Sequence, residues 1–307
     1  MKAPAGAGKW RVLGSPFVPP AQTAWLRTHA ALPVADGAGT RRRIYFSSRD
    51  DLGRARIGWM EVDLTRPSEV LAMGPEPALD LGPLGAFDDH GATSSWLVDH
   101  QRRKFLYYTG WKLGVTVPFY LAIGLAVSDD GGGTFRRVSE GPLLGTDGVD
   151  PYLTASPCVL IEDGLWRMWY VSGSRWEREG ERAKHHYHIR YAESGDGLSW
   201  RRTGRVCIDY ASPDEYAIAR PSVRKDGGLY RMWYCHRGAR YRIGYAESPD
   251  GLRWQRKDDE AGLEPSGQPW DAEMQAYPFV FDEGGRRYML YNGDGYGRTG
   301  IGLAVLA

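Results

Sequence analysis

Acidic side chains recur at one position of a repeating pattern in this chain of 307 residues. They precede a short apolar strand by a few residues, in four of the five places where such a strand is predicted. Carboxylates gathered around one axis raise one another's pKa, so one can donate a proton while another stays ionised. Cleavage of a glycosidic bond uses such a pair. The five segments are Thr28-His29, Asp88-Asp89-His90, Asp150-Pro151-Tyr152, Asp214-Glu215-Tyr216 and Asp271-Ala272-Glu273.

The candidate catalytic residues are therefore Asp89, Asp150, Glu215, Glu273 and His29. Glu215 or Glu273 is the expected proton donor, with its pKa raised by neighbouring carboxylates. Asp89 or Asp150 would be the ionised partner. Capping of turns between repeat units explains a single acid equally well, but it explains four acids at matching positions poorly.

A second set of candidates lies in an insertion on the same predicted face. Tyr191 follows Tyr170 by 21 residues, whereas Tyr245 follows Tyr234 by 11, so one unit carries ten extra residues. Imidazoles titrate near neutral pH and suit proton transfer. The insertion is predicted to be a loop over 174–188, and it contains Trp176, His185, His186 and His188.

Other residues at the ends of predicted strands suit a polar ligand. Arg220 follows Glu215 by five residues and would keep a partner carboxylate ionised. The glycine-rich run 292–298 ends in an arginine and suits an anionic group, although a tight hairpin explains it equally well. Trp111, Tyr152 and Trp176 would stack on a sugar. The expected substrate-binding residues are Arg49, His90, Trp111, Tyr152, Trp176, His185, His186, His188, Arg220, Arg237, Tyr277, Asn292 and Arg298.

The elements that must position these residues repeat along the chain. Residues 191–202 read YAESGDGLSWRR and residues 245–256 read YAESPDGLRWQR, each after an RMWY segment. Five copies of about four short strands can be traced, with glycine-rich turns and no helical periodicity. This pattern predicts an all-β fold, a five-bladed β-propeller that forms a single domain over 1–307. Two packed sandwiches are the alternative.

The ends of the chain predict how the ring closes. The last copy stops after its third strand, and the strand-like segment Trp10–Phe17 belongs to no other copy. We expect this segment to supply the missing fourth strand of the last blade. First strands would then line a central channel, and the connections between second and third strands would open on the face where the acids lie.

The turn motif Ser-x-Asp-Gly-x-x-Trp is predicted to be structural. It occurs at 194–200 and 248–254, with a looser form at 128–135, and it resembles the Asp-box of sialidase propellers. The aspartate would cap the hairpin through backbone amides, and the glycine would take a positive φ.

Composition excludes several classes of protein. The formal net charge is +1, from 39 basic and 38 acidic residues, so there is no basic field for nucleic acid. No apolar run is long enough for a membrane helix, and the N-terminus lacks the apolar region of a signal peptide. Three cysteines without metal-ligand spacing predict reduced packing residues and a cytoplasmic protein. No cofactor is expected, although histidines and carboxylates around one axis would also suit a divalent cation.

A five-bladed propeller with acids on its first strands resembles the superfamily of glycoside hydrolase families 43, 32, 68 and 130. Three strings are similar to a bacterial glycosidase-like branch found near carbohydrate-biosynthesis genes. They are YFSSRD (45–50), EYAIARPS (215–222) and YNGDGYGRTG (291–300). The resemblance covers nearly the whole chain and implies a small-molecule or carbohydrate substrate. The charge balance and the lack of a long apolar run predict no nucleic-acid or membrane partner.

The resemblance also implies a catalytic triad, which this sequence keeps only in part. The hydrolases have an aspartate base or nucleophile in blade one, an orienting aspartate in blade two and a glutamate acid in blade three. Asp89 matches the second of these. His29 stands in place of the first, and Asp150 stands in place of the glutamate.

Three functions follow from these residues. The first is a carbohydrate-active enzyme that hydrolyses or transfers a glycoside by means of channel carboxylates. The second is a non-hydrolytic biosynthetic enzyme, a lyase, isomerase or cyclase, with His29, His185 and His186 as proton-transfer groups. The third is a glycan-binding propeller without catalysis.

Overall fold

The structure, a computed structural model, describes residues 8–14, 16–18 and 23–307. In that part of the chain almost all regular structure is β-strand. The strands form one four-stranded and two eight-stranded sheets, and each eight-stranded sheet consists of two antiparallel groups joined by one parallel pairing, which makes five groups. A short strand, β1 (Trp10–Val12), comes first. Groups 1 and 2 contain β2 (Thr28–Asp36), β3 (Arg41–Arg49), β4 (Ala55–Asp63) and β5 (Val70–Met73), then β6 (Gly91–His100), β7 (Arg103–Leu113), β8 (Phe119–Ser128) and β9 (Arg136–Arg137). Groups 3 and 4 contain β10 (Thr154–Glu162), β11 (Leu165–Glu179), β12 (Arg182–Ser194) and β13 (Trp200–Ile208), then β14 (Ala217–Asp226), β15 (Leu229–Arg237), β16 (Tyr241–Ser248) and β17 (Gln255–Arg256). Group 5 contains β18 (Ala276–Glu283), β19 (Arg286–Asn292) and β20 (Ile301–Leu306).

The first strands of the five groups lie around one axis. Strands β2, β6, β10, β14 and β18 contact one another in that order, and β18 contacts β2. Antiparallel sheets that close around an axis in this way form a β-propeller. Strand β1 pairs with β20 through Trp10 and Leu306, and Phe17 bridges to Ile301. The prediction that the N-terminal segment completes the last group is confirmed.

Bulges interrupt the first strand of every group. In four groups a bulge residue with positive φ precedes a proline: Leu32, Ser156, Arg220 and Tyr277. Proline cannot donate to a strand ladder, so it is tolerated where the ladder is already broken. A non-glycine residue at positive φ costs about 1–3 kcal/mol, which the surrounding sheet must offset. The bulges redirect the side chains of Arg220 and Tyr277 away from the regular alternation of the strand.

Turns of the Ser-x-Asp-Gly motif join neighbouring groups. The Asp196 carboxylate accepts the N–H groups of Leu198 and Ser199, both at 2.8 Å, and Gly197 has a φ of 74°. The carbonyl of Gly197 accepts the Tyr107 hydroxyl of group 2 at 2.8 Å. The structural role predicted for this motif is confirmed. The equivalent contacts between other groups, also at 2.8 Å, are Trp169 Nε1 to Gly251 O and Tyr45 Oη to Gly132 O.

The insertion in group 3 is a hairpin, and the prediction of a loop over 174–188 is wrong. Strands β11 and β12 are 15 and 13 residues long because the inserted residues pair with one another, Trp176 opposite His185. We call residues 174–188 the arm. Its Trp176 ring lies 5.3 Å from Phe119 of group 2, and its Lys184 ammonium lies 4.4 Å above the Tyr216 ring of group 4.

The cysteines Cys158, Cys207 and Cys235 are buried and carry free thiols, as predicted. Burial raises the pKa of each thiol to about 12, so all three remain protonated. In the described residues no helix has the length and apolar character needed to cross a membrane.

Candidate active site

Aromatic and basic side chains from groups 3, 4 and 5 meet where the second strands connect to the third. Arg237 ends β15, Tyr241 begins β16, and Tyr296 lies in the turn between β19 and β20. The arm supplies Tyr187 and His185, the bulge of β18 supplies Tyr277, and Tyr216 directly precedes β14. We call this set the mouth cluster: Tyr187, Tyr216, Tyr241, Tyr277, Tyr296, His185 and Arg237.

Two tyrosine hydroxyls lie in direct contact within the mouth cluster. The oxygens of Tyr187 and Tyr241 are 2.5 Å apart, and the Tyr277 ring lies 6.3 Å from the Tyr241 ring. Burial raises the pKa of all three hydroxyls, which therefore stay protonated at neutral pH. Tyr187 and Tyr277 are partly exposed, and their hydroxyls can donate a hydrogen bond to a ligand, whereas Tyr241 is only 3% exposed and contacts the Tyr187 hydroxyl.

Arg237 holds the cluster together. Its guanidinium donates to the Tyr296 hydroxyl at 2.8 Å, and it lies 5.3 Å from the Tyr216 ring and 5.4 Å from the Tyr241 ring. These are distances at which a cation interacts favourably with an aromatic face. Arg237 has no carboxylate partner in the part of the chain that the structure describes, and its Nε is buried without a hydrogen bond there.

His185 lies on the arm beside the tyrosines. Its ring stacks on Tyr187 with a centroid distance of 4.8 Å and an interplanar angle of 4°. Burial lowers the pKa of His185 to about 4, and Arg237 adds to the effect. The imidazole is therefore neutral at pH 7 and can accept a proton.

A second set of basic side chains lies on strand groups 1, 2 and 5. Burial lowers the pKa of His29 to about 4, and the charges of Arg49 and Arg298 lower it further. The Arg49 guanidinium lies 5.8 Å from the Trp111 ring, and that ring lies 4.7 Å from His90. These five predicted substrate-binding or catalytic residues are thus close to one another, as the alignment of strand ends predicted.

The two low histidine pKa values predict a loss of stability in mild acid. An unfolded histidine titrates near pH 6.5, whereas His185 titrates near 4 in the folded protein, so the unfolded chain binds more protons between those values. The free energy of unfolding should therefore fall as the pH falls from about 6.5 to 4. Urea unfolding at pH 7 and pH 5 should show a smaller fall for His185→Gln than for the wild type. Equal falls in both proteins would contradict the low pKa.

Glu215 is held ionised, and the expectation of a raised pKa is wrong. Burial alone would raise its pKa, but hydrogen bonds from Arg256, His236 and the Ala211 amide outweigh burial and lower it to about 2. Arg256 binds both carboxylate oxygens, at 2.6 and 2.9 Å, and His236 Nδ1 lies 2.6 Å away. A carboxyl with this pKa is not a proton donor at neutral pH.

Asp150 has a structural role, which corrects its assignment as a catalytic residue. It has no exposed surface. Its carboxylate accepts hydrogen bonds from Tyr170 at 2.8 Å, Ser172 at 2.6 Å, Arg190 at 3.2 Å and Arg202 at 2.8 Å. All of its acceptor capacity is used within group 3.

Buried aspartates with the same structural role occur in two other groups, and this role was not predicted from the sequence. Asp88 accepts the Tyr108 hydroxyl and Asp271 accepts the Tyr291 hydroxyl, both at 2.9 Å. In each pair, and in the pair of Asp150 with Tyr170, the tyrosine follows the aspartate by 20 residues. This constant spacing is the signal that could have separated structural acids from the rest.

Asp89 and Glu273 lie on the surface of the same face. The Asp89 carboxylate accepts the Gly85 amide at 2.9 Å and so closes a turn. Glu273 pairs with Arg240 at 2.5 Å, and both side chains are more than half exposed. Both acids are within reach of a ligand, unlike Asp150.

Two side chains predicted to bind substrate instead form hydrogen bonds with backbone atoms. Arg220 is fully buried and crosses the ring of first strands, where it donates to the carbonyls of Ser94, Ser95 and Pro33 at 3.2, 2.5 and 2.7 Å. It contacts no carboxylate, which corrects its predicted role. The buried amide of Asn292 donates to Ala30 O at 2.7 Å and Gly300 O at 2.8 Å, and accepts from Leu32 N at 2.8 Å.

The three histidines of the arm do not form one cluster, because successive residues of a strand face opposite sides. His186 and His188 lie on the side opposite His185, paired with Glu177 at 2.9 Å and Asp209 at 3.2 Å. Across the described ranges no group of three or more histidine, cysteine or acidic residues could hold a metal ion.

Tyr152 lies outside the mouth cluster. It lines a cleft of about 480 Å³ between groups 2 and 3, together with Phe87, Lys112, Tyr120 and Leu121. Its side chain is 40% exposed and remains available for stacking on a ligand in that cleft.

Four members of the mouth cluster were missed from the sequence: Tyr187, Tyr216, Tyr241 and Tyr296. Three lie inside or next to segments already singled out, since Tyr187 is in the arm, Tyr216 follows Glu215, and Tyr296 is in the run 292–298. Their joint position depends on contacts between groups, which no spacing in one group predicts.

Two curated proteins of Mycobacterium tuberculosis are similar to this chain along almost its full length. They are the uncharacterized proteins MT1551 and Rv1502, each 46% identical over 298 residues, with 97% of this chain and 99% of the relative covered. The chain belongs to the Rv1502 family. No family model matches it.

Solved structures place this member of the Rv1502 family among the glycoside hydrolase propellers by fold. A glycoside hydrolase has a TM-score of 0.73 at 17% identity, and the match covers 100% of this chain and 92% of the hydrolase chain. A thermostable family-43 glycoside hydrolase has a TM-score of 0.61 at 16% identity, with 90% and 88% covered. An endo-arabinase from Bacteroides thetaiotaomicron has a TM-score of 0.63 at 12% identity, with 93% and 98% covered. At these identities the likeness shows the fold alone.

Proposed function

We propose that this protein is a five-bladed β-propeller enzyme that acts on a glycoside or glycoconjugate at the mouth cluster. Each of the five strand groups is one blade, and the described residues belong to a single domain. The observation that carries the proposal is the mouth cluster itself, an aromatic and basic site at the connections between second and third strands. The fold shared with glycoside hydrolases supports it.

Stacking and hydrogen bonding would hold the substrate. Tyr296 and Trp176 present partly exposed rings at the rim of the cluster, and such rings pack against the apolar face of a sugar. Arg237 and the hydroxyls of Tyr241 and Tyr277 would bind the polar edge of the substrate. Three unpaired thiols are typical of a reducing compartment, which supports a cytoplasmic location. We assign no nucleic-acid or membrane partner.

Proton transfer in this proposal is carried out by histidine and tyrosine. His185 and His29 are neutral at pH 7 and would accept a proton, while the protonated hydroxyl of Tyr241 would donate one. Glu215 would hold His236 and Arg256 on the side of β15 opposite Arg237 and would take no direct part in the chemistry. Asp89 and Glu273 remain candidate bases, because both carboxylates lie at the surface of this face.

A lyase, isomerase or cyclase is the second candidate. Neutral histidines beside protonated tyrosines suit removal of a proton from one carbon and delivery of a proton to a leaving oxygen. His29, in the position where the related hydrolases carry an aspartate, favours this candidate. A lectin-like propeller without catalysis is the third candidate, and it would keep the aromatic contacts but would not need the acid–base groups.

Turnover of a substrate panel separates these candidates. The wild-type protein is incubated with aryl glycosides, nucleotide sugars and oligosaccharides, and three products are measured: a free reducing end, a transferred glycosyl group and an unsaturated sugar. The first or second product supports the proposed glycoside chemistry. The third product, lost in His29→Ala, supports the lyase. Tight glycan binding without turnover of any panel member would contradict both enzymatic candidates.

A further inference from the structure

We infer that the mouth cluster binds a negatively charged sugar, one that carries a carboxylate or a phosphate group. This inference rests on the proposed function, because it assigns a substrate class to the same site. Four arginines carry it: Arg237 inside the cluster, Arg49 and Arg298 beside it, and Arg220 beneath it.

The arginines at the mouth have no acidic partners. Arg49, Arg237 and Arg298 make no ion pair with any of the residues that the structure describes, although 35 such contacts occur elsewhere in the same residues. Arg49 and Arg298 are exposed, and both lie within electrostatic reach of His29. Three cations from blades one, four and five therefore face the same opening without a counter-charge.

Arg220 adds a charge that solvent cannot screen. Its guanidinium is fully buried and donates only to neutral carbonyls, and its Nε has no partner within the described part of the chain. Burial lowers its pKa to about 10, and Tyr277 of the mouth cluster lies within electrostatic reach. Arg220 therefore remains cationic at neutral pH, and an anion in the mouth would interact with this charge at reduced screening.

Three acids near the mouth are already paired with other cations, and Asp89 and Asp294 accept backbone amides. Glu273 binds Arg240, Glu179 binds Lys184, and Glu215 binds Arg256. The low pKa values of His29 and His185, which the arginines lower further, are consistent with a positive potential at the mouth. Since the whole chain has a formal net charge of only +1, this excess of positive charge is local.

The chemistry of the arginines selects the ligand class. Guanidinium groups bind carboxylate and phosphate through two parallel hydrogen bonds, and Arg237 still has a free, buried Nε–H in the described structure. A neutral sugar offers these donors only hydroxyl and ether oxygens, which bind a guanidinium more weakly than a carboxylate or phosphate does. The aromatic rings around the arginines supply the surface for the sugar ring itself.

Binding of matched sugars to the full-length protein tests the inference. Glucuronic acid, glucose 6-phosphate, glucose and inorganic phosphate are titrated by calorimetry at low salt. We expect at least one charged sugar to bind ~10-fold or more tightly than glucose, in line with charge-assisted hydrogen bonds. Tighter binding of glucuronic acid identifies a carboxylate, and tighter binding of glucose 6-phosphate identifies a phosphate.

Charge variants locate the binding. Arg49→Gln and Arg298→Gln change exposed side chains, so both should fold, and each should weaken the charged sugar about 10-fold while leaving glucose unchanged. Arg286→Gln, on the far turn of β19, removes the same charge away from the mouth and should have no effect. Equal affinity for charged and neutral sugars would overturn the inference, as would equal effects of all three variants.

The inference and the proposed function fail in different ways. Turnover of neutral glycosides, without preference for acidic ones, would contradict the inference of a charged substrate and would support the proposed enzymatic function. Tight, arginine-dependent binding of a charged sugar, with no turnover of any panel member, would contradict the proposed enzymatic function and would support the inference of a charged ligand.

Discussion

Replacing Asp150 with alanine is expected to lower the free energy of unfolding by about 3–5 kcal/mol. The carboxylate has no exposed surface and pairs with both Arg190 and Arg202. Its removal leaves two guanidinium groups partly buried without their shared counter-charge, and it leaves the Tyr170 hydroxyl without its acceptor. Urea unfolding at pH 7 measures the loss.

Asp99→Ala is the matched control for this prediction. Asp99 also pairs with a basic side chain, Lys104, but it is 69% exposed. Exposed ion pairs contribute about 0.2–1 kcal/mol, so this variant should be nearly as stable as the wild type. An Asp150→Ala protein that unfolds like the wild type but has lost turnover would restore Asp150 as a catalytic residue.

Replacing Arg237 with glutamine is expected to lower kcat/KM about 100–1000-fold on the substrate identified by the panel. Arg237 is the one cation inside the mouth cluster, and a positioned donor of this kind contributes about 2.7–4 kcal/mol to transition-state stabilisation. Glutamine can still bond to the Tyr296 hydroxyl, so the loss reports the guanidinium charge and its second N–H.

The Arg237 prediction needs a stability control as well as a charge control. The melting temperature of Arg237→Gln separates misfolding from loss of catalysis. Arg286→Gln removes a charge at the start of β19, the end of that strand away from Tyr296, and should retain wild-type kcat/KM. A value for Arg237→Gln within threefold of the wild type, in a folded protein, would remove Arg237 from the site.

The sequence was informative about the fold because the fold repeats. The YAES and RMWY strings mark equivalent strands, and the missing strand of the last copy predicted the pairing of β1 with β20. The arm was misjudged because an insertion length does not distinguish a loop from two strands that pair with each other.

Part of the candidate site could be predicted from the sequence, because topology brings the strand ends and the second-to-third connections to one face. The roles of the acids could not. The acids were misassigned because their partners lie far away in the sequence: Arg256 reaches Glu215 from 41 residues away, and Arg202 reaches Asp150 from 52. An acid with an unseen arginine partner looks the same in a sequence as an acid with a raised pKa.

The most direct test of the proposed site compares kcat/KM for Tyr241→Phe and Glu215→Gln on the substrate identified by the panel, corrected for the folded fraction. Tyr288→Phe, which removes a hydroxyl from a ring stacked on Phe281 outside the site, is the control. If the mouth cluster carries the chemistry, Tyr241→Phe loses about 100-fold or more, whereas Glu215→Gln and Tyr288→Phe stay within about tenfold of the wild type. Loss of turnover in Glu215→Gln with Tyr241→Phe unaffected would contradict the proposed site and return catalysis to the carboxylates.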